Sequence, residues 1–292
     1  MGPHAEELAS GERFAFGENW ARFLTTLDDA RIAQAEQSLI QKLGLDQLSG
    51  RTFLDIGSGS GLFSLAGRRL GARVHSFDYD PASVACTREL KRRYFPNDPE
   101  WAIEEGSALD LDYLRSLGPF DIVYSWGVLH HTGDMWKALE NAAAAVAPGG
   151  LLFIAIYNDQ GTPSIRWKKV KSLYNRMPRG LRFLVVTPSF FVLNYHHLIK
   201  DCLRLRPFQT IRNYGRDRGM SFWHDLIDWV GGYPFEVATP RQIFEFYSAR
   251  RFSLSWIDTC GGSLGCNEFV FRNDGDTRAQ SPEMAQVGAT RP

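Results

Sequence analysis

One stretch constrains this chain more than any other: Asp55-Ile56-Gly57-Ser58-Gly59-Ser60-Gly61, set between a short apolar segment, Thr52 to Ile56, and a helical one, Leu62 to Leu70. Glycines there permit a tight turn and leave bare backbone beside a helix N-terminus, where negative charge is favoured. The spacing is G-x-G-x-G, and Leu62-Phe63-Ser64 stands where a dinucleotide fingerprint would carry a further glycine. Some twenty residues on, Asp78 closes the apolar segment Arg73 to Phe77, the place where a ribose diol is held. Downstream, Ala147-Pro148-Gly149-Gly150 turns sharply into another apolar run. A strand that runs through glycines into a helix points to parallel strands with crossover helices.

The rest of the first half obeys that plan. Helical patterns cover Pro81 to Tyr94, the region of Asp112 to Leu117, and Met135 to Val146, and strands are expected at Trp101 to Glu104, Phe120 to Ser125 and Leu151 to Tyr157. Ahead of them, Glu18 to Leu48 reads as helical through Leu24, Leu27, Ile32, Leu39, Ile40 and Leu43. From Asp159 the alternation stops until Pro234. A helix over Pro240 to Ala249 and strands at Phe252 to Asp258 and Asn267 to Phe271 then resume it. The expected organisation is an N-terminal helical lid over 1–50, an α/β core over 51–160, a basic and aromatic helical insertion over 161–235, the end of the core over 236–273, and a disordered tail over 274–292. With 44% apolar and 23% charged residues, disorder over most of the length is excluded.

In combination, Leu54-Asp55-Ile56-Gly57-Ser58-Gly59-Ser60-Gly61, Phe77-Asp78, Phe120-Asp121-Ile122-Val123 and Pro148-Gly149-Gly150 resemble the class I S-adenosylmethionine-dependent methyltransferases. The likeness covers about 50–158 and resumes over 240–272, and Val128-Leu129-His130-His131 is similar to the small-molecule branch typified by ubiquinone-biosynthesis methyltransferases. It implies a Rossmann-like sheet of seven mostly parallel strands, the last antiparallel, with a helical insertion after the fifth. It implies S-adenosylmethionine as cofactor, with Gly57, Gly59 and Gly61 along the methionine moiety and Asp55 orienting its amino group. Asp78 would accept from both ribose hydroxyls, and Ser107 and Ala108 would lie at the adenine edge. Many relatives carry Asp where this chain has Ser107, and Asp110 is a substitute for that contact. Ser125 and Trp126 would lie beside the sulfonium.

Methyl transfer is an in-line displacement, so alignment of the acceptor matters, and a general base helps when the acceptor is a hydroxyl. His130 and His131 follow the fourth strand at the carboxyl edge of the sheet, where ligands of open α/β sheets sit. His224 and Asp228 are four apart on a helical pattern, a spacing that orients an imidazole or supplies two metal ligands. No third ligand accompanies them, so no metal is expected. Tyr157 and Asn158 end the fifth strand as substrate contacts, and Tyr233 is either a pocket wall or a packed hinge. Phe16-Gly17-Glu18-Asn19-Trp20 either folds over the cofactor as a lid or anchors the N-terminal helix.

Charge divides the remaining readings. Lys plus Arg and Asp plus Glu both number 33, a balance that counts against a generic nucleic-acid binder. Yet Thr162 to Arg218 holds thirteen basic residues against Asp201 and Asp217 alone, around the apolar runs Leu184-Val185-Val186 and Phe190-Phe191-Val192-Leu193. That segment fits a solvated face, an anionic acceptor, a lipid surface meeting a lipid-linked acceptor, or RNA phosphates. The leading expectation is methyl transfer to a small molecule, O-methylation of a hydroxyl favoured. The rivals are a tRNA-modifying methyltransferase and a cofactor-binding scaffold without chemistry. Four scattered cysteines, no apolar leader and no long apolar run suggest a cytoplasmic protein, peripheral at a membrane if the insertion meets lipid, with no obligate protein partner.

Overall fold

The computed structural model describes residues 2–203 and 222–275, apart from the side chains at 18, 197, 198, 202, 203 and 222–225. The expected tail beyond residue 275 lies outside the described residues. The chain begins with α1 (Pro3–Ser10), α2 (Gly17–Phe23) and α3 (Asp29–Leu43). The core then runs β1 (Thr52–Ile56), α4 (Leu62–Arg69), β2 (Arg73–Asp78), α5 (Pro81–Tyr94), β3 (Trp101–Glu105), α6 (Leu111–Leu117), β4 (Phe120–Trp126), α7 (Met135–Ala144) and β5 (Val146–Tyr157). The insertion holds α8 (Thr162–Arg176), α9 (Phe183–Leu203) and α10 (Phe222–Gly231), and α11 (Pro240–Ser248), β6 (Phe252–Asp258) and β7 (Cys266–Asn273) close the fold.

The seven strands form one sheet in the order β3-β2-β1-β4-β5-β7-β6. β1 to β5 pair in parallel, while β7 runs antiparallel between β5 and β6. The central strands are apolar runs buried on both faces, as a sheet with helices on each side demands. On one face Leu54, Ile56, Val123, Leu152 and Phe271 pack against Leu114 of α6, Leu139 of α7 and Ile243 of α11. On the other, Phe53, Val74, Ile122 and Phe153 pack against Leu39 of α3, Leu65 of α4 and Leu90 of α5. Chain order reverses between β1 and β4, so a crevice opens at their carboxyl ends.

Caps place the helices. Asp80 accepts from the Ala82 N–H ahead of Pro81, and Thr239 and Gln242 form a reciprocal box at the start of α11. Two expectations need correction. The single N-terminal helix is two helices, because Asp28 turns extended and caps α3 through the Arg31 N–H; an earlier α1, begun by Pro3, precedes both. β5 starts at Val146 rather than Leu151, and its pairing with β4 slips between Phe120 and Ile122. Pro148-Gly149-Gly150 is therefore a bulge inside the strand. At Gly150 a Cβ would stand 3.0 Å from the Asp121 carbonyl oxygen, so no side chain fits.

Candidate active site

The glycine loop is drawn onto the end of β2. The N–H groups of Gly57 and Ser58 both donate to the Phe77 carbonyl, at 2.9 and 3.0 Å, and the Gly59 N–H donates to Asp78 Oδ2 at 2.9 Å. Gly57 and Gly61 have φ of 76° and 81°, and a Cβ on either would collide with Val128 or with the Thr87 backbone. Asp78 Oδ1 accepts from the Asp80 N–H at 2.9 Å. A carboxylate offers about four lone-pair positions, so Asp78 keeps acceptor capacity for a diol. Burial, opposed by these two backbone donors, pushes its pKa up to about 6.

Asp55 lies beneath the loop at the end of a buried hydroxyl chain. Trp101 Nε1 donates to Ser76 Oγ at 2.9 Å, Ser76 to Ser64 Oγ at 2.7 Å, and Ser64 to Asp55 Oδ2 at 2.5 Å. Burial, opposed by Ser64 and reinforced by Asp78, pushes Asp55 up to about 7. The carboxylates that frame the loop thus carry little solvation, a setting suited to a cationic ligand.

The other expected cofactor contacts fall along the same edge with roles the sequence did not show. Ser107 Oγ accepts from the Leu109 N–H at 3.2 Å, and the buried Ala108 accepts at its carbonyl from Asn141. Asp110 caps α6 through the Tyr113 N–H, so its carboxylate already has a partner. Ser125 Oγ donates to the Ile56 carbonyl at 3.0 Å, which ties β4 to β1. Trp126 is exposed and donates from Nε1 to Glu268, itself paired with Lys42.

Beyond β4 and β5 a second cluster forms. His130 and His131 are buried in one turn of 3₁₀ helix, with ring centroids 4.4 Å apart and Tyr157 4.1 Å from His130. His131 Nδ1 lies 2.5 Å from the Pro234 carbonyl, which only accepts, so the proton is on Nδ1 and Nε2 keeps its lone pair. Burial pushes His131 down to about 3, so the ring is neutral at physiological pH. His130 Nδ1 accepts from the Tyr157 N–H at 3.4 Å, while its Nε2 is buried and has no hydrogen-bond partner among the described residues. Nearby, Trp229 Nε1 is a second buried atom without a partner among the described residues.

Lys171 completes this cluster. In the sequence it is one of the thirteen bases of the insertion with no role of its own, and in the fold it is fully buried. Its Nζ donates to the Trp229 carbonyl and lies 4.3 Å from the Trp229 ring, 4.8 Å from Phe235 and 5.9 Å from Tyr157. Burial, opposed by Asp228, lowers it to about 7. No sequence signal marked it: Lys171 and Tyr174 stand three apart on the face of α8 that α10 covers, and only that contact between helices buries them.

The remaining candidates separate from the cluster. Asn158 accepts from Asn267 Nδ2 at 3.0 Å and donates to the Ser263 carbonyl, tying β5 to the β6–β7 turn. Tyr233 is half-buried, and its carbonyl receives the Phe14 N–H at 2.9 Å. The side chain of His224 lies outside the described residues, while Asp228 on the same helix accepts from Asn19. No cluster of three metal-binding side chains occurs among the described residues.

The N-terminal segment straps across both halves. Gly17 N–H donates to Asp80 Oδ2 at 2.8 Å, and a Cβ on Gly59 would stand 3.1 Å from the Trp20 indole. Phe16 meets the His131 ring at 5.0 Å. Arg13 donates to the His131 carbonyl at 3.0 Å, pairs with Glu7, and lies 4.8 Å over the Tyr79 ring.

Sheet order, glycine loop and acidic β2 terminus define the class I methyltransferase fold. Residues 29–216 match the family described as "Methyltransferase domain", and the chain belongs to that family. A ubiquinone biosynthesis O-methyltransferase of Methylobacterium sp. (strain 4-46) is 34% identical over 171 residues, 53% of this chain and 64% of that protein. A tRNA U34 carboxymethyltransferase of Klebsiella pneumoniae (strain 342) is 32% identical over 138 residues, 44% of this chain and 40% of that protein. The matches thus span less than two thirds of these relatives. Magnesium protoporphyrin IX methyltransferase from Synechocystis PCC 6803, solved with bound S-adenosylhomocysteine, shares the fold with a TM-score of 0.52 at 14% identity, covering 88% of this chain and 93% of that one.

Proposed function

We propose that the protein transfers a methyl group from S-adenosylmethionine to a hydroxyl of a small molecule. The observation that carries this reading is the pair of buried nitrogens without a partner among the described residues, His130 Nε2 and Trp229 Nε1, grouped with neutral His131 around Tyr157 beside the cofactor edge. Buried polar atoms without partners are rare, and a polar acceptor would satisfy them. S-adenosylmethionine supplies an electrophilic methyl group on a sulfonium. Asp78 would take the ribose hydroxyls and the glycine loop the methionine end. The Nε2 lone pair of the neutral His131 would accept a hydrogen bond from the acceptor hydroxyl and hold its oxygen in line for attack, with the proton passing on to solvent because so weakly basic a ring does not retain it. Lys171, protonated in part at neutral pH, would add positive charge to this cluster, which favours a phenolic or otherwise acidic acceptor.

His131→Ala is expected to lower kcat by roughly 10²-fold with S-adenosylhomocysteine affinity unchanged, the scale for loss of acceptor alignment. Loss of affinity without loss of turnover would remove His131 from the chemistry. The strap acts as a lid in this reading. Trp20→Ala is expected to speed release of S-adenosylhomocysteine by about 10-fold, for loss of one large apolar contact over Gly59. Unchanged release in stopped flow would leave Trp20 as an anchor only.

The acceptor class is tested by labelled methyl transfer into lipid, RNA and small-molecule fractions of a cell extract. Label in the small-molecule or lipid fraction is expected. Label in tRNA, with a steep salt dependence, would transfer the assignment to the second reading, which the basic insertion and the Klebsiella relative favour.

A further inference from the structure

The helical insertion presents an apolar face that nothing among the described residues covers. On α9, Leu184, Phe191, Tyr195 and Ile199 recur at helical spacing with Val192 beside them, all exposed, Val192 to 62% and Ile199 to 56%. At 100° per residue these positions, with Pro188, fall in one stripe roughly 100° wide. The opposite side of α9 carries Val185, Ser189 and Phe190 into the insertion's own core with Tyr174, Leu226 and Val230. The helix thus has two apolar faces, one packed and one that no described residue covers. Monomeric proteins rarely leave a contiguous apolar patch without a partner.

Charge selects the partner. From Thr162 to Leu203, leaving aside the buried Lys171, the chain carries Arg166, Lys168, Lys169, Arg176, Arg179, Arg182 and Lys200 against one acid, Asp201, which is buried. The exposed side of α8 repeats the pattern, with Ile165 and Leu173 alternating with Lys169 and Arg176. A second copy docking through this face would set like charges against each other. Nucleic acid offers phosphates but no apolar surface to cover the stripe. An anionic bilayer offers both. No described helix is long and apolar enough to cross a membrane, so α9 would lie in the interface plane.

We infer that α9, flanked by the bases of α8 and the α8–α9 turn, docks this protein on anionic lipid surfaces. The inference does not depend on which acceptor takes the methyl group. It is tested by flotation of the full chain with phosphatidylcholine vesicles, with and without phosphatidylglycerol. Binding is expected only with phosphatidylglycerol and should weaken as salt rises. Phe191→Ser with Ile199→Ser should reduce it by about 10-fold or more, since two buried apolar side chains are lost. Lys169→Glu with Arg176→Glu should remove the preference for phosphatidylglycerol. Both doubles alter exposed positions, and retained S-adenosylhomocysteine binding and Tm would show that they fold. Absence of flotation, or flotation unchanged in the apolar double, overturns the proposal. A concentration-dependent dimer that the apolar double dissolves, without flotation, would assign the face to a second copy instead.

Discussion

Asp78→Ala should weaken S-adenosylhomocysteine binding by roughly 10²- to 10³-fold, the equivalent of two charge-assisted hydrogen bonds at ~1.5–2 kcal/mol each. The carboxylate is buried, and its direct donors among the described residues are the N–H groups of Gly59 and Asp80. Its pKa of about 6 gives the interaction a pH signature. The ionised form accepts from both ribose hydroxyls, whereas the protonated form loses an acceptor position. Wild-type affinity should therefore fall as pH drops through about 6, and the Ala variant should show a shallower dependence, with only the Asp55 titration near 7 remaining. In the apoprotein the sign is opposite. A carboxyl whose folded pKa is raised stabilises the fold below its unfolded value, and that contribution is lost as pH rises through the folded pKa. Calorimetric titration of both proteins at several pH values provides the measurement. Equal affinity would remove Asp78 from the cofactor site.

The second large effect belongs to Lys171. Its folded pKa of about 7 lies well below that of a lysine in water, so the folded chain releases this proton while the unfolded chain still holds it. Wild-type stability should then rise between pH 7 and about 10, by an upper limit of ~4 kcal/mol for three pKa units. Lys171→Met should abolish this rise. At pH 7 its net effect should be small, because relief of a buried charge is offset by an unpaired Trp229 carbonyl at ~1–3 kcal/mol. Denaturant titrations across this range would show the slope in wild type and not in the variant. Parallel slopes would mean that Lys171 titrates normally. If Lys171 also supports an acidic acceptor, Lys171→Met loses turnover while cofactor affinity is retained.

Local pattern carried the sheet and the cofactor half of the site. Apolar runs ending in glycine or aspartate gave β1 and β2, and the turn they form places Gly57, Gly59 and Asp78 within hydrogen-bonding reach. These residues are near in sequence and need only a tight turn and parallel pairing to meet. The His130–His131 pair was visible as residues but not as chemistry. Its protonation is set by Pro234, 103 residues away from His131, and its burial by Phe16 and the insertion. Asn158, Ser125 and Asp110 show the converse. Each is polar and stands at the ligand edge, yet backbone and side-chain groups of the fold already occupy it.

Lys171 marks the boundary most sharply. In the sequence it is one base among thirteen, since α8 alternates lysines with apolar residues on a pattern that does not reveal which side is covered. Zero net charge likewise concealed an insertion with a strongly basic, partly apolar surface. The sequence by itself determined the strand–glycine–helix unit, the parallel sheet and the family, because backbone conformation and burial period are local properties of a chain. Only the tertiary structure decided which charges are desolvated, which tautomer His131 adopts and which face of α9 stays bare. Those properties depend on what packs against a side chain, and here the packing comes from segments far apart in sequence.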